Sequence, residues 1–214
     1  MFGVKSMERI RKRGLIIGML LGDGCIYMNG TSYRFYIGHS EKQQDYLKDK
    51  AKILAHILDR EIPKIQHQTI KSNFSGLPTQ RYSFAIESRK FKRYRTLFYT
   101  NENKRQIKMS MLKWLTPEGI AYWWMDDGSI SSKKRNGRHH AWECVLHTCC
   151  SKEEAQVCIE YFTKYWNISF NLRKDKQYFS LRCGTREATK FMKLIFDYRL
   201  ASMHYKFPEC FQNL

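Results

Sequence analysis

Two short apolar runs set the rhythm of the chain. Gly14 to Gly22 (GLIIGMLLG) is followed at once by Asp23-Gly24, and Pro117 to Gly128 (PEGIAYWWMDDG) also ends in Asp-Gly. Both have the continuous apolar character of a buried helix. After each comes a turn containing Ser or Asn, then a stretch that alternates apolar with polar: Ser32–His39 and Glu143–Cys150. That period of two predicts half-buried strands. Ser40 with Gln43, and Ser151 with Glu154, have the spacing of a capping box and predict helices running to about Leu58 and about Trp166. Two more alternating stretches follow in each case, Ile65–Lys71 with Arg81–Ile86 and Ser169–Lys174 with Tyr178–Cys183. Ser88 and Thr185 then stand as caps of a third helix, with Phe91, Tyr94, Leu97 and Phe98 apolar in one and Phe191, Leu194, Ile195 and Phe196 in the other.

The order α-β-β-α-β-β-α thus occurs twice, at a period of about 100 residues, far beyond the solenoid range. The pattern predicts an α+β protein of two pseudo-symmetric halves, residues 1–107 and 108–214, descended from one duplicated unit. Alternation also assigns faces. Tyr33, Phe35 and Ile37 align with Cys144, Leu146 and Thr148 as core-facing, and Tyr82, Phe84 and Ile86 align with Phe179, Leu181 and Cys183. Gly14, Gly18 and Gly22 share one face of the first helix, which lets a second helix approach closely. Thr116 is the expected N-cap of the second, with Pro117 at its first position and Glu118 in its first turn. Gly24 and Gly128 suit the residue just past a helix end. An aspartate at a helix C-terminus faces the negative end of the dipole, so two of them call for a compensating cation.

Composition narrows the partner. The 214 residues hold 38 Lys+Arg against 20 Asp+Glu, a net charge of +18, with 43% apolar and 14% aromatic residues. Such a chain folds, which excludes a disordered polycation, and its charge points to a polyanion, nucleic acid before membrane. The halves carry +12 and +6, so both are expected to touch it. The run Gly14–Gly22 lies behind Lys5, Arg9, Arg11, Lys12 and Arg13 like a signal peptide, but nine residues ending at Asp23 are too short to span a bilayer. No membrane partner is expected. Seven cysteines without regular spacing argue against a secreted disulfide scaffold and for an intracellular reducing compartment. His139, His140, Cys144, His147, Cys149 and Cys150 are dense enough for zinc, yet alternation sends Cys144 and His147 to opposite faces, so none is expected.

Aligned on their aspartates, Ile16-Ile17-Gly18-Met19-Leu20-Leu21-Gly22-Asp23-Gly24 and Ile120-Ala121-Tyr122-Trp123-Trp124-Met125-Asp126-Asp127-Gly128 resemble the two motifs of a single-chain LAGLIDADG homing endonuclease. The resemblance extends over nearly the whole chain. It implies two four-stranded antiparallel sheets forming a DNA-binding saddle, the motif helices at the interface, and a monomer acting on a long asymmetric double-stranded target. It also implies hydrolysis of one phosphodiester on each strand, as in intron homing. Asp23 and Asp127 would hold Mg²⁺, with Mn²⁺ or Ca²⁺ able to substitute for binding, and the carbonyls of Gly22 and Asp126 would complete the metal shell. A catalytic lysine in each half is implied too. Lys206 matches in the second, and Lys104, with Arg105 close behind, occupies the corresponding place in the first. Gly22 against Asp126, and Tyr122-Trp123-Trp124 against Gly18-Met19-Leu20, make the two centres unequal.

Residues opposite the core are the candidates for DNA contact: Ser32, Arg34, Tyr36, Arg81 and Ser83 in the first half, and His147, Tyr178, Ser180 and Arg182 in the second. Lys64, Gln66, Gln68, Asn171 and Arg173 on the strands between join them, since Arg and Gln match the donor and acceptor pattern of the major groove. Ser132–His140 is expected to be a basic loop gripping phosphate through Lys133, Lys134, Arg135 and Arg138. The alternative is an RNA-binding intron maturase on the same fold. A DNA-binding regulator is a third reading, but it lacks any recognisable helix-turn-helix extension here. No intein splicing block is expected around the unit, which opens at Met1.

Overall fold

In the computed structural model, residues 4–71, 76–136 and 138–212 are described. The first motif lies at the end of helix α1 (Val4–Leu21), which starts ten residues before the apolar run. Strands β1 (Cys25–Asn29), β2 (Ser32–Ser40), β3 (Gln66–Lys71) and β4 (Pro78–Glu87) form an antiparallel sheet in the order β1-β2-β4-β3. Helix α2 (Gln44–Leu58) packs on it, and α3 (Lys92–Phe98) and the single turn α4 (Met109–Leu112) follow. The second motif is α5 (Pro117–Asp127). A second sheet repeats the topology with β5 (Gly128–Arg135), β6 (Arg138–Cys150), β7 (Asn171–Asp175) and β8 (Tyr178–Gly184) in the order β5-β6-β8-β7. Helices α6 (Lys152–Trp166) and α7 (Thr185–Ile195) complete the second copy. The α+β class is as the pattern predicts, and the two four-stranded antiparallel sheets are as the resemblance implies. No helix among the described residues is long and apolar enough to cross a membrane.

Two compact units emerge, and their division differs from the repeat. One comprises residues 1–22, 98–199 and 204–214; the other comprises 23–97 with 200–203. Helix α1, from the first copy, belongs with the second because it packs along α5. Glycines make that packing possible. A Cβ on Gly18 would stand 2.7 Å from the carbonyl carbon of Gly119, and one on Gly119 would stand 2.8 Å from that of Gly14. Backbone therefore lies on backbone, closer than any side chain permits. Arg11 clamps the same pair, its Nε and Nη2 donating to Glu118 at 2.6 and 2.7 Å. Behind α5, Trp124 meets Phe191 edge-on at 5.3 Å and Trp123 stacks on Phe162 at 6.2 Å. In the other unit Phe35 of β2 packs between Phe84 and Phe91 over the buried face of α2.

Several local expectations change. Thr116 does cap α5, its Oγ1 accepting from the Gly119 N–H at 3.2 Å, and Ser151 and Glu154 form the full capping box of α6. Ser40 makes no such bond; a 3-10 turn at Glu41–Gln43 intervenes before α2. Gly184, not Thr185, is the N-cap of α7, and the Thr185 hydroxyl instead accepts from the Trp142 N–H at 2.9 Å. Gly128 is extended at φ −82, so its need is for room: a Cβ would lie 2.5 Å from the Trp124 carbonyl oxygen. The basic stretch Ser132–His140 is not a loop but the tip of the β5–β6 hairpin, turning at Asn136 with φ 51. β6 also carries a bulge between Leu146 and Cys150, with Cys149 at φ 47. Matching the sheets through Ile26↔Phe35 and Ile130↔Cys144 therefore pairs Phe35 with Cys144 and Ile37 with Leu146, two residues off the alternation-based alignment.

Candidate active site

Each motif helix ends against a cation. Arg105 donates from Nη1 to the Gly22 carbonyl at 3.1 Å and from Nη2 to that of Leu21. Lys206 donates from Nζ to the Met125 and Asp126 carbonyls at 2.6 and 2.9 Å. These are the same two positions of each motif. The cations satisfy carbonyls that the helix leaves without an intrahelical partner and offset the dipole that disfavours the adjoining aspartate. Lys104 is not the first-half counterpart of Lys206: its ammonium, 77% exposed, pairs with Glu102 at 3.0 Å. Arg105 takes that place. The Lys206 segment is anchored by Trp124, whose indole N–H donates to the Lys206 carbonyl at 3.1 Å.

Next to these ends stand the two motif aspartates. Asp23 is exposed, and its carboxylate faces Nδ1 of the buried His39 at 3.5 Å. Asp127 is half-buried, close enough to the Cys149 thiol to raise its pKa together with burial, which is the larger cause. Asp126 packs where a side chain at Gly22 would go, its Cβ 2.6 Å from the ideal Cβ position there. Carboxylates and backbone carbonyls are hard oxygen donors, the set that suits Mg²⁺ or Ca²⁺. A carbonyl oxygen has two lone pairs, so accepting from Arg105 or Lys206 is compatible with a cation. The donor chemistry fits a hard divalent ion.

The candidate DNA contacts divide by sheet. On the first, Arg34 and Glu87 are paired across β2 and β4, with Arg34 Nε 2.8 Å from Oε1, and this pair holds the Glu87 carboxyl below its ordinary range. The Arg81 guanidinium lies across Gly38 and 5.7 Å from the Tyr36 ring. Lys64, Gln66 and Gln68 are exposed, and Ser32 is half-buried. On the second, Asn171, Arg173, Tyr178 and Arg182 are exposed. Glu143 takes Arg182 Nε at 2.7 Å and Lys133 at 3.1 Å, which lower its pKa in that order. His147 receives or donates a bond with the Ser129 hydroxyl at 3.1 Å, and burial first, then Arg173, disfavours its charged form. Lys134 is exposed; the side chains of Arg135 and Arg138 lie outside the described residues. Ser83 and Ser180 are corrections. They sit at matching positions of β4 and β8, on the expected face, but are 4% and 2% exposed under their neighbours. Tyr27 and Asn29 of β1 share that face, and no period marks them because β1 is too short and polar.

Comparisons with known proteins agree with this geometry. The chain is similar to Protein RecA of Mycobacterium gastri, 29% identical over 203 residues, covering 90% of this chain and 46% of that protein. It is also similar to probable intron-encoded endonuclease 1 of Wickerhamomyces canadensis, 24% identical over 205 residues, covering 94% and 85%. The chain spans about half the length of the RecA relatives it matches. Among solved structures, the homing endonuclease I-WcaI bound to its DNA recognition sequence superposes with TM-score 0.77 at 21% identity, over 97% of this chain and 95% of that one. I-SmaMI, bound to an uncleaved DNA target in the presence of calcium ions, superposes with TM-score 0.53 at 12% identity, over 90% and 86%. The pattern of the LAGLIDADG DNA endonuclease family matches residues 13–191, motif helices and both sheets included, and the chain belongs to that family.

Proposed function

We propose that the chain is a site-specific DNA endonuclease that makes a double-strand break with a divalent metal. The observation that carries this reading is the pair of motif-helix ends, each closed by a cation and each delivering an aspartate. Capping the last carbonyls explains the cation at each helix end, but not the carboxylate set against the negative end of the dipole beside it. Asp23 and Asp127 would hold the ion, and their hard oxygen donors suit Mg²⁺. Held there, such an ion would supply an activated water and neutralise charge on the leaving oxygen.

The remaining work falls to the chain's own residues. Lys206 and Arg105 stiffen the two helix ends and set a positive field where charge builds on the transferred phosphate. Exposed Arg173, Arg182, Gln66 and Gln68 supply phosphate contacts and base readout from the sheets. The test is direct. Purified protein with Mg²⁺ is incubated with plasmid carrying the uninterrupted version of the locus around its reading frame. Linear product with two ends is expected; DNA left supercoiled across all such sites sinks the reading.

A further inference from the structure

Lys50 is fully buried, the only lysine or arginine among the described residues with no exposed surface. Its ammonium lies 3.2 Å from Nε2 of His39 and 4.1 Å from the Tyr46 ring. His39, itself buried, presents its other nitrogen, Nδ1, to Asp23 at 3.5 Å. A buried ammonium is expensive, and replacing one by an apolar side chain of similar volume is often neutral or stabilising. Packing between α2 and β2 therefore does not account for a lysine there, and what it touches does. An ammonium only donates, so the Nε2 it meets must accept, and the ring proton is then placed on Nδ1, toward the carboxylate.

The second copy lacks this chain. His39, the last core-facing residue before the helix, corresponds to Cys150. Counting back from the left-handed residues that close the helices, Asp59 and Asn167, Lys50 corresponds to Cys158. Both are buried thiols; Cys150 is pushed up to about 11 mainly by burial, and Cys158 is raised by burial and then by Cys150. Neither can fix an imidazole tautomer.

We propose that Lys50 is a positioning residue that locks His39 as its Nδ1–H tautomer against Asp23, and so tunes the cleavage centre of Asp23 alone. The proposal rests on the nuclease reading for its effect on cutting, not for the lock itself. Orienting partners one step behind a ligand typically contribute about 10- to 100-fold. The experiment compares wild type, Lys50→Met and Cys158→Ala by two readouts. In the metal-free protein, ¹⁵N shifts of the His39 ring should report a proton on Nδ1 in wild type and a shift toward Nε2–H in Lys50→Met. On end-labelled target with Mg²⁺, Lys50→Met should slow one strand by about 10-fold or more while the other is cut normally, so that singly nicked duplex accumulates. Cys158→Ala should leave both strands balanced. Should Lys50→Met not fold, His39→Gln, which keeps an amide donor, should retain more first-strand rate than His39→Leu. An unchanged tautomer in Lys50→Met, equal slowing of both strands, equal loss in Gln and Leu variants, or the same bias from Cys158→Ala overturns the proposal. Wild type that cuts neither strand sinks the nuclease reading and the strand bias with it, and the tautomer shift alone then decides the lock.

Discussion

The two copies of the repeat solve one electrostatic problem with different side chains. Arg105 closes the first motif helix with a planar guanidinium, and Lys206 closes the second with an ammonium, on the same two carbonyls. Elsewhere the copies diverge freely. Arg34 pairs with Glu87 on one sheet, while on the other the acid is Glu143 of the second strand and the base is Arg182 of the strand beside it. His39 behind Asp23 has a cysteine in its place behind Asp127. What the copies share is the positive charge at each helix end and the glycine contact between helices. What they vary is the outer face.

That comparison breaks most visibly at the aspartates. Asp23→Asn and Asp127→Asn, made separately, should each abolish double-strand cleavage, a loss of about 10³-fold or more, with binding to target DNA retained in gel-shift titration. Double-strand cleavage near the wild-type rate in either variant would show that that copy does not need its own carboxylate. Next in size is the helix-end cation. Arg105→Lys and Lys206→Arg should lose less than about 10-fold in single-turnover rate if charge alone matters, whereas Arg105→Met and Lys206→Met should lose about 100-fold. A large loss in either exchange would show that the two cations are specialised.

Stability sharpens the contrast between Gly18 and Gly22. Alanine at Gly18 meets backbone and should cost about 3 kcal/mol or more in urea denaturation; at Gly22 it meets the Asp126 side chain, which can move, and should cost about half that. Between the sheets, Gln66 and Arg173 face Ser83 and Ser180, the matched serines of β4 and β8. Arg173→Ala should weaken binding to any DNA and lower the salt slope by about 1, whereas Gln66→Ala should cost about 1–3 kcal/mol on the cognate site only. The smallest effect is at Glu143. Its pKa is depressed below 4.5 by Arg182 and Lys133, so its stabilising contribution is present above that value and is lost as pH falls through the folded pKa. Glu143→Gln should therefore flatten acid denaturation slightly, visible in circular dichroism.

Much of this was legible in the sequence. The triad Gly14, Gly18 and Gly22 marked the helix contact, Thr116-Pro117 marked the start of α5, and alternation placed Arg81, Asn171 and Arg182 on the correct faces. The bulge in β6 was not legible, because a left-handed Cys149 leaves no residue-type signal. Nor was Arg105 separable from Lys104, since one step along an irregular segment decides which side chain reaches the helix end. The His39–Lys50 pair does carry a sequence signal. His39 falls in phase with Phe35 and Ile37, and Lys50 with Leu47 and Leu54, so both are polar residues on a buried face. Such a residue asks for a partner.

The packing of α1 on α5 also bears on how the chain is made. Helix α1 is made before α5, yet its glycine face is covered by α5 and its cap, Gly14 by Thr116, Gly18 by Gly119 and Gly22 by Asp126. At about 5–20 residues per second, Gly14–Gly22 spends several seconds exposed before α5 exists to receive it. Folding of this unit therefore waits for α5, and slow translation before Thr116 should lengthen the nascent chain's dependence on chaperones.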